Sequence, residues 1–129
     1  MPASPAFGLN QIRQISVNVQ DPERATAFYR DALGMKYLFA AGPLTFFDCG
    51  GIRLMLARPE RPELDHPGSI LYFSVTDIHE AQRTLAERGV RFQDKPQLIA
   101  KLETVDVWLA DFRDSENNLL ALMSEAPRA

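Results

Sequence analysis

Residues 15–37 read ISVNVQDPERATAFYRDALGMKY, and this stretch decides the fold. From Ile12 through Val19 apolar and polar side chains alternate, the period-two pattern of a strand with one buried face. Asp21-Pro22 ends that strand, because the Asp carboxylate is a ready N-cap acceptor and Pro suits the first helical position. Ala25, Phe28, Tyr29, Ala32 and Leu33 then recur at helical spacing, which predicts an amphipathic helix with Phe28 and Leu33 buried. Gly34 closes it as a left-handed cap. Further out, apolar stretches at 35–39, 44–49 and 52–56, the last two around Gly50-Gly51, predict three short antiparallel strands.

The same pattern then returns. Residues 71–90 read LYFSVTDIHEAQRTLAERGV: a strand over 70–75, Asp77 as cap with Glu80 three residues on, then Ile78, Ala81 and Leu85 as the apolar stripe before Gly89. Asp77 repeats Asp21 and Gly89 repeats Gly34 at nearly equal offset. Strands are expected at 90–92, 105–112 and 119–123. Pro59, Pro62, Pro67 and Gly68 mark 58–69 as a linker. The chain therefore reads as a single domain over 1–129 of class α+β, with a βαβββ module at about 12–57, the linker, and a second module at about 70–124.

Composition narrows the function classes. The chain has 129 residues, 46% of them hydrophobic and 24% charged, the make-up of a globular domain rather than a disordered tail. Fourteen Lys and Arg against seventeen Asp and Glu give a net charge of −3 with no basic run, which argues against a nucleic-acid partner. Cys49 is the only cysteine, so neither an internal disulfide nor a Cys-rich zinc module is available and a reducing compartment is expected. Residues 1–10 lack the basic and apolar regions of a signal peptide, and no apolar run approaches the roughly eighteen residues of a membrane span. A cytoplasmic protein with no membrane partner is expected.

Together with FRDSENNLLALM at 112–123, the two quoted stretches resemble the vicinal oxygen chelate superfamily, which contains glyoxalase I, bleomycin-resistance proteins, extradiol dioxygenases and methylmalonyl-CoA epimerase. The resemblance runs from about Ile12 to Ser124. Members usually carry an Asp-Pro-Asp-Gly-Asn turn where this chain has Asp114-Ser115-Glu116-Asn117-Asn118; Asn117 is expected to take the left-handed conformation in place of Gly. The resemblance implies that each module is a half-barrel with its helix on the convex face and a cavity on the concave one. Alternation agrees: Ile15, Val17, Val19, Leu71, Phe73 and Val75 turn toward the helices, leaving Gln14, Ser16, Asn18, Ile70, Tyr72 and Ser74 toward the cavity. The faces taken by Phe46 and Trp108 are left open by their strands' alternation.

Metal-dependent members hold a divalent ion with four side chains, and the resemblance carries those positions onto Gln14, Met55, Ile70 and Ala121. One amide oxygen, one thioether and two hydrocarbon side chains are no set for a hard or borderline ion, so no metal and no cofactor are expected. His66 and His79 read as solvated, Glu103, Asp106 and Asp111 as hydrated carboxylates, and Cys49 as a packed thiol. The expected function is binding of a small hydrophobic or aromatic molecule by Gln14, Ser16, Met55, Ile70, Tyr72, Ala121 and Met123. The alternatives are a lyase, isomerase or dioxygenase with a non-standard metal or a metal-free site, with Gln14, Tyr72, Glu103 or Asp106 in acid–base roles, or a filled core without ligand. No catalytic residue is assigned. Exposed sheet edges suggest a homodimer.

Overall fold

The computed structural model describes residues 7–128, so the first six of the residues 1–10 read above against a signal peptide lie outside the described residues. Two four-stranded mixed sheets follow one another along the chain. The first contains β1 (Gln14–Asn18), β2 (Lys36–Ala41), β3 (Leu44–Cys49) and β4 (Ile52–Ala57), in the order β1-β4-β3-β2. The second contains β5 (Leu71–Ser74), β6 (Gln97–Lys101), β7 (Val105–Arg113) and β8 (Leu119–Pro127), in the matching order β5-β8-β7-β6. In each sheet the first strand runs parallel to the last and the remaining pairs are antiparallel. This is the repeated βαβββ, α+β architecture of tandem half-barrels.

Helix α1 (Pro22–Ala27) begins where Asp21 accepts a hydrogen bond from the Arg24 N–H at 3.1 Å. It continues as a π-helical turn, Phe28–Ala32, in which the Leu33 N–H reaches back five residues to the Phe28 carbonyl. Gly34, at φ 71°, then breaks the spiral in a conformation that only a residue without a Cβ adopts freely. Helix α2 (Ile78–Glu87) is capped by Asp77, which accepts from the His79 and Glu80 N–H groups, while the Glu80 carboxylate pairs with Arg83 rather than closing a capping box. Gly50 and Gly51 both have positive φ, the requirement of a two-residue hairpin turn whose twist matches its strands.

Two expectations need correction. Residues 90–92 are not a strand: the Val90 N–H bonds the Leu85 carbonyl, Val90 is buried against the core, and only Phe92 bridges to Phe112. An apolar run after a helix cap signals burial, and here burial belongs to a plug rather than a ladder. The pairing strand is β6, an outer strand whose Leu98 and Ile99 are exposed and therefore show no inside–outside alternation. On α1 and its π turn, Ala25 and Tyr29 are the fully buried pair, whereas Phe28 and Leu33 pack half-buried at the edge of the core. The wider π turn moves Leu33, which follows it, off the 3.6-residue period.

One apolar cluster joins both sheets on their helix sides: Val17, Val19, Phe47, Leu54 and Leu56 from the first, Ala110, Phe112, Leu120 and Leu122 from the second, with Ala25, Tyr29 and Ile78 from the helices. A polar knot at residues 114–118 fastens it. The Asp114 carboxylate accepts from the Tyr29 hydroxyl (2.7 Å), the Glu116 and Asn118 N–H groups (2.8 Å each) and the Asn118 amide (2.9 Å). Asn117 sits at φ 68°, the left-handed position expected of it. Burial, then the Asp114 charge, push the Tyr29 phenol up, so it stays protonated and donates. Glu116 reaches the other way, accepting from the Gln20 and Asp21 N–H groups, the Arg24 guanidinium and the Ser115 hydroxyl.

Burial alone would raise the Glu116 carboxyl, but these hydrogen bonds outweigh it and bring it from 4.5 to about 2. A carboxyl whose folded value lies below its unfolded one stabilises above the unfolded value and loses that contribution as pH falls toward the folded value. Between pH 5 and pH 2 the wild-type protein should therefore lose more stability than Glu116→Gln, as read from denaturant midpoints across that range. Parallel pH profiles for the two proteins would show that the carboxylate carries no such linkage.

Candidate functional site

The strands of the first sheet turn Ile15, Val17 and Val19 to the helix side, leaving Gln14, Ser16 and Asn18 on the concave side as alternation requires. Ser16 lies opposite Met55 on β4, and Met55 opposite Phe46 on β3, so all three share the concave face. There Phe46 stacks on Phe39, with ring centroids 4.6 Å apart, under the Arg53 guanidinium. Trp108 takes the opposite side of its own sheet, across from the buried Ser124 and edge-on to His79 of α2.

Over the concave side of β1 and β4 the linker folds back as a wall. The Asn18 amide donates to the carbonyls of Leu64 (2.7 Å) and His66 (3.2 Å), and the Arg58 guanidinium donates to the Gln20 carbonyl at 3.2 and 3.3 Å. A short 3-10 turn, Pro62–Leu64, shapes the bend. The linker, β1, β4 and the starts of β5 and β8 enclose a cavity of about 960 Å³. Its apolar wall includes Ile12, Met55, Ile70 and Leu71, and its polar groups include Ser16, Asn18, Arg58, His66, Arg113 and Asn118.

Of the residues singled out in the sequence, Ser16, Met55 and Ile70 line this cavity. Gln14 sits beside it on β1, with its amide nitrogen 3.8 Å from the Met55 sulfur. Tyr72, Ala121 and Met123 lie on the concave side of the second sheet, outside the residues that line the cavity. Tyr72 is exposed, whereas Ala121, opposite it, is completely buried between Tyr72 and Asp111. Arg58, His66 and Arg113 were missed as site residues. The signal for the first two was the linker itself, whose prolines announce an irregular path but not where that path goes.

At the four positions onto which the resemblance carries metal ligands, the available donors are few. Gln14 donates its amide N–H toward the Met55 sulfur and offers one amide oxygen, and Met55, Ile70 and Ala121 supply no oxygen or nitrogen donor. Among the described residues, no group of three or more His, Cys, Asp or Glu side chains is placed to hold an ion. Asp106 pairs with Arg128 at 3.4 Å, and Asp111 is exposed. Burial, with Asp48 beside it, pushes the Cys49 thiol up, away from the thiolate a nucleophile needs. No helix among the described residues is long and apolar enough to cross a membrane.

A family model described as the Glyoxalase/Bleomycin resistance protein/Dioxygenase superfamily matches residues 11–122. The chain is 25% identical to YraH of Bacillus subtilis (strain 168), with 87% of this chain and 96% of that protein aligned. A crystal structure of a member of the same superfamily from Sphaerobacter thermophilus DSM 20745 superposes with a TM-score of 0.76 at 24% identity, covering 91% of this chain and 98% of that one. Lactoylglutathione lyase from Agrobacterium tumefaciens superposes with a TM-score of 0.72 at 20% identity, over 91% of this chain and 95% of that one. At these identities the superpositions speak for the fold alone.

Proposed function

Because the chain belongs to the Glyoxalase/Bleomycin resistance protein/Dioxygenase superfamily, we propose that it uses the superfamily cavity, without the superfamily metal, to bind a small hydrophobic or aromatic molecule. The observation that carries this reading is a cavity of about 960 Å³, walled by Met55, Ile70 and Leu71 and dotted with a few polar groups. A volume of that order takes a drug-sized ligand, and mostly apolar walls with sparse oriented donors are what such ligands require. A calorimetric screen of aromatic and amphiphilic compounds should find sub-millimolar binders. Ser16→Trp, which places an indole in the cavity from an exposed strand position, should weaken them at least about tenfold. If no compound binds more tightly than millimolar, the reading fails.

One observation favours a second reading, a metal-free lyase or isomerase. His66 lines the cavity, and its Nδ1 lies 3.0 Å from the Pro67 carbonyl; in the tautomer that donates there, Nε2 is left as a base. Turnover that is lost in His66→Gln with binding intact would move the protein into that class.

The reading extends to assembly and setting. Tyr37, Leu38 and Phe39 on β2 and Leu98 and Ile99 on β6 are exposed on the outermost strands, where unpaired backbone and apolar side chains invite a partner. A symmetric homodimer covers them, and light scattering showing a monomer at micromolar concentration would rule it out. A reducing cytoplasmic setting suits the single thiol of Cys49.

A further inference from the structure

Two arginines line the cavity with their charge unspent. Arg58 donates to the Gln20 carbonyl, and the Gln20 N–H in turn bonds Glu116 at 2.8 Å. Arg113 donates to the Asn117 carbonyl at 3.1 Å. Arg113 is thus held directly to the turn at residues 114–118, and Arg58 is linked to it indirectly, through Gln20 and the Glu116 carboxylate. A guanidinium has five N–H donors, so each keeps several free. Among the described residues Arg24, Arg30, Arg61, Arg83 and Arg128 form ion pairs, whereas Arg58 and Arg113 form none.

The carboxylates near the turn do not answer them. Glu116 is committed to Arg24, Ser115 and two backbone N–H groups, and Asp114 to Tyr29 and the turn itself. Glu60 is the one carboxylate that lines the cavity, against two cations. Much of the remaining wall is apolar, with Ile12, Met55 and Ile70 among its residues. The space therefore combines apolar walls with two unpaired cations.

We infer that the occupant is an amphipathic acid: an apolar or aromatic body lying on Met55 and Ile70, with one carboxylate held by Arg58 and Arg113. This rests on the binding reading above and adds the chemical class of the ligand. Planar carboxylates suit guanidinium groups because two parallel N–H···O bonds form at once, and charge-assisted bonds in a partly enclosed site are stronger than neutral ones. Moored guanidinium groups lose little freedom when the anion arrives.

The test is titration calorimetry of the full chain with three probes of one shape: 2-naphthoate, 2-naphthalenemethanol and 2-naphthylmethylamine, at neutral pH. Naphthoate should bind about tenfold or more tightly than the alcohol, and added salt should weaken the acid alone. Arg58→Gln and Arg113→Gln, each checked for native circular dichroism, should erase most of that ratio while leaving the alcohol within about twofold. The exposed Arg91→Gln should leave the ratio intact. Should the acid and alcohol bind alike, the amine bind more tightly, or the acid's advantage survive both substitutions, the inference is overturned while the binding reading stands. If none of the three binds below millimolar, that reading falls and the inference with it.

Discussion

Asp114→Ala should lower stability by about 3–5 kcal/mol, measured as a shift of the urea or guanidinium midpoint at unchanged slope. The carboxylate is 4% exposed and accepts four hydrogen bonds, one from a tyrosine that is itself fully buried. Removing it strands the Tyr29 hydroxyl without a partner and frees two backbone N–H groups of the turn, so the loss exceeds that of a single bond. Tyr29→Phe removes only the donor and should cost about 1–2 kcal/mol. The consequence reaches across the molecule, since Tyr29 belongs to the first module and Asp114 to the second. An Asp114→Ala loss below about 1 kcal/mol would mean that the knot decorates the junction rather than fastening it.

The second large effect is expected at Phe47→Ala, again about 3–5 kcal/mol, because a fully buried aromatic ring leaves a cavity that its neighbours cannot fill. Phe47 is packed by the rings of Tyr29 (centroids 6.1 Å apart) and Tyr37 (5.8 Å), with Leu54 opposite it on β4. Phe28→Ala, the substitution that the helical stripe alone would rank highest, should cost only about 1–2 kcal/mol, because Phe28 lies half-buried at the edge of the core. Thermal or chemical unfolding of the pair decides it. A larger loss at Phe28 than at Phe47 would show that Phe28, not Phe47, anchors the core.

These two substitutions mark the border between what neighbours along the chain decide and what they do not. Period-two alternation at β1 and β5, the caps at Asp21 and Asp77, the left-handed Gly34 and Gly89, and the double-glycine hairpin at Gly50-Gly51 are set by contacts within a few residues, and all are legible without a structure. Their repetition is enough to specify two βαβββ modules. Residues 90–92 show where this stops: apolarity reports that a segment is buried, not whether a ladder or a plug buries it.

What the tertiary structure alone decided concerns partners far apart in sequence. The linker's path over β1 is set by the Asn18 amide reaching the carbonyls of Leu64 and His66, which makes a cavity wall of a segment that reads only as irregular. Arg58 and Arg113 line one cavity, Arg113 bonded to the turn at residues 114–118 and Arg58 linked to it through Gln20 and Glu116, although they lie 55 residues apart in the chain. Local propensity acts over one or two turns of chain, so the sequence by itself determined the modules, their caps and their donor chemistry. The juxtaposition of Ser16, Met55 and Ile70 with Arg58 and Arg113 exists only once the two sheets share a core, because no local energy distinguishes one linker path from another until long-range burial selects it.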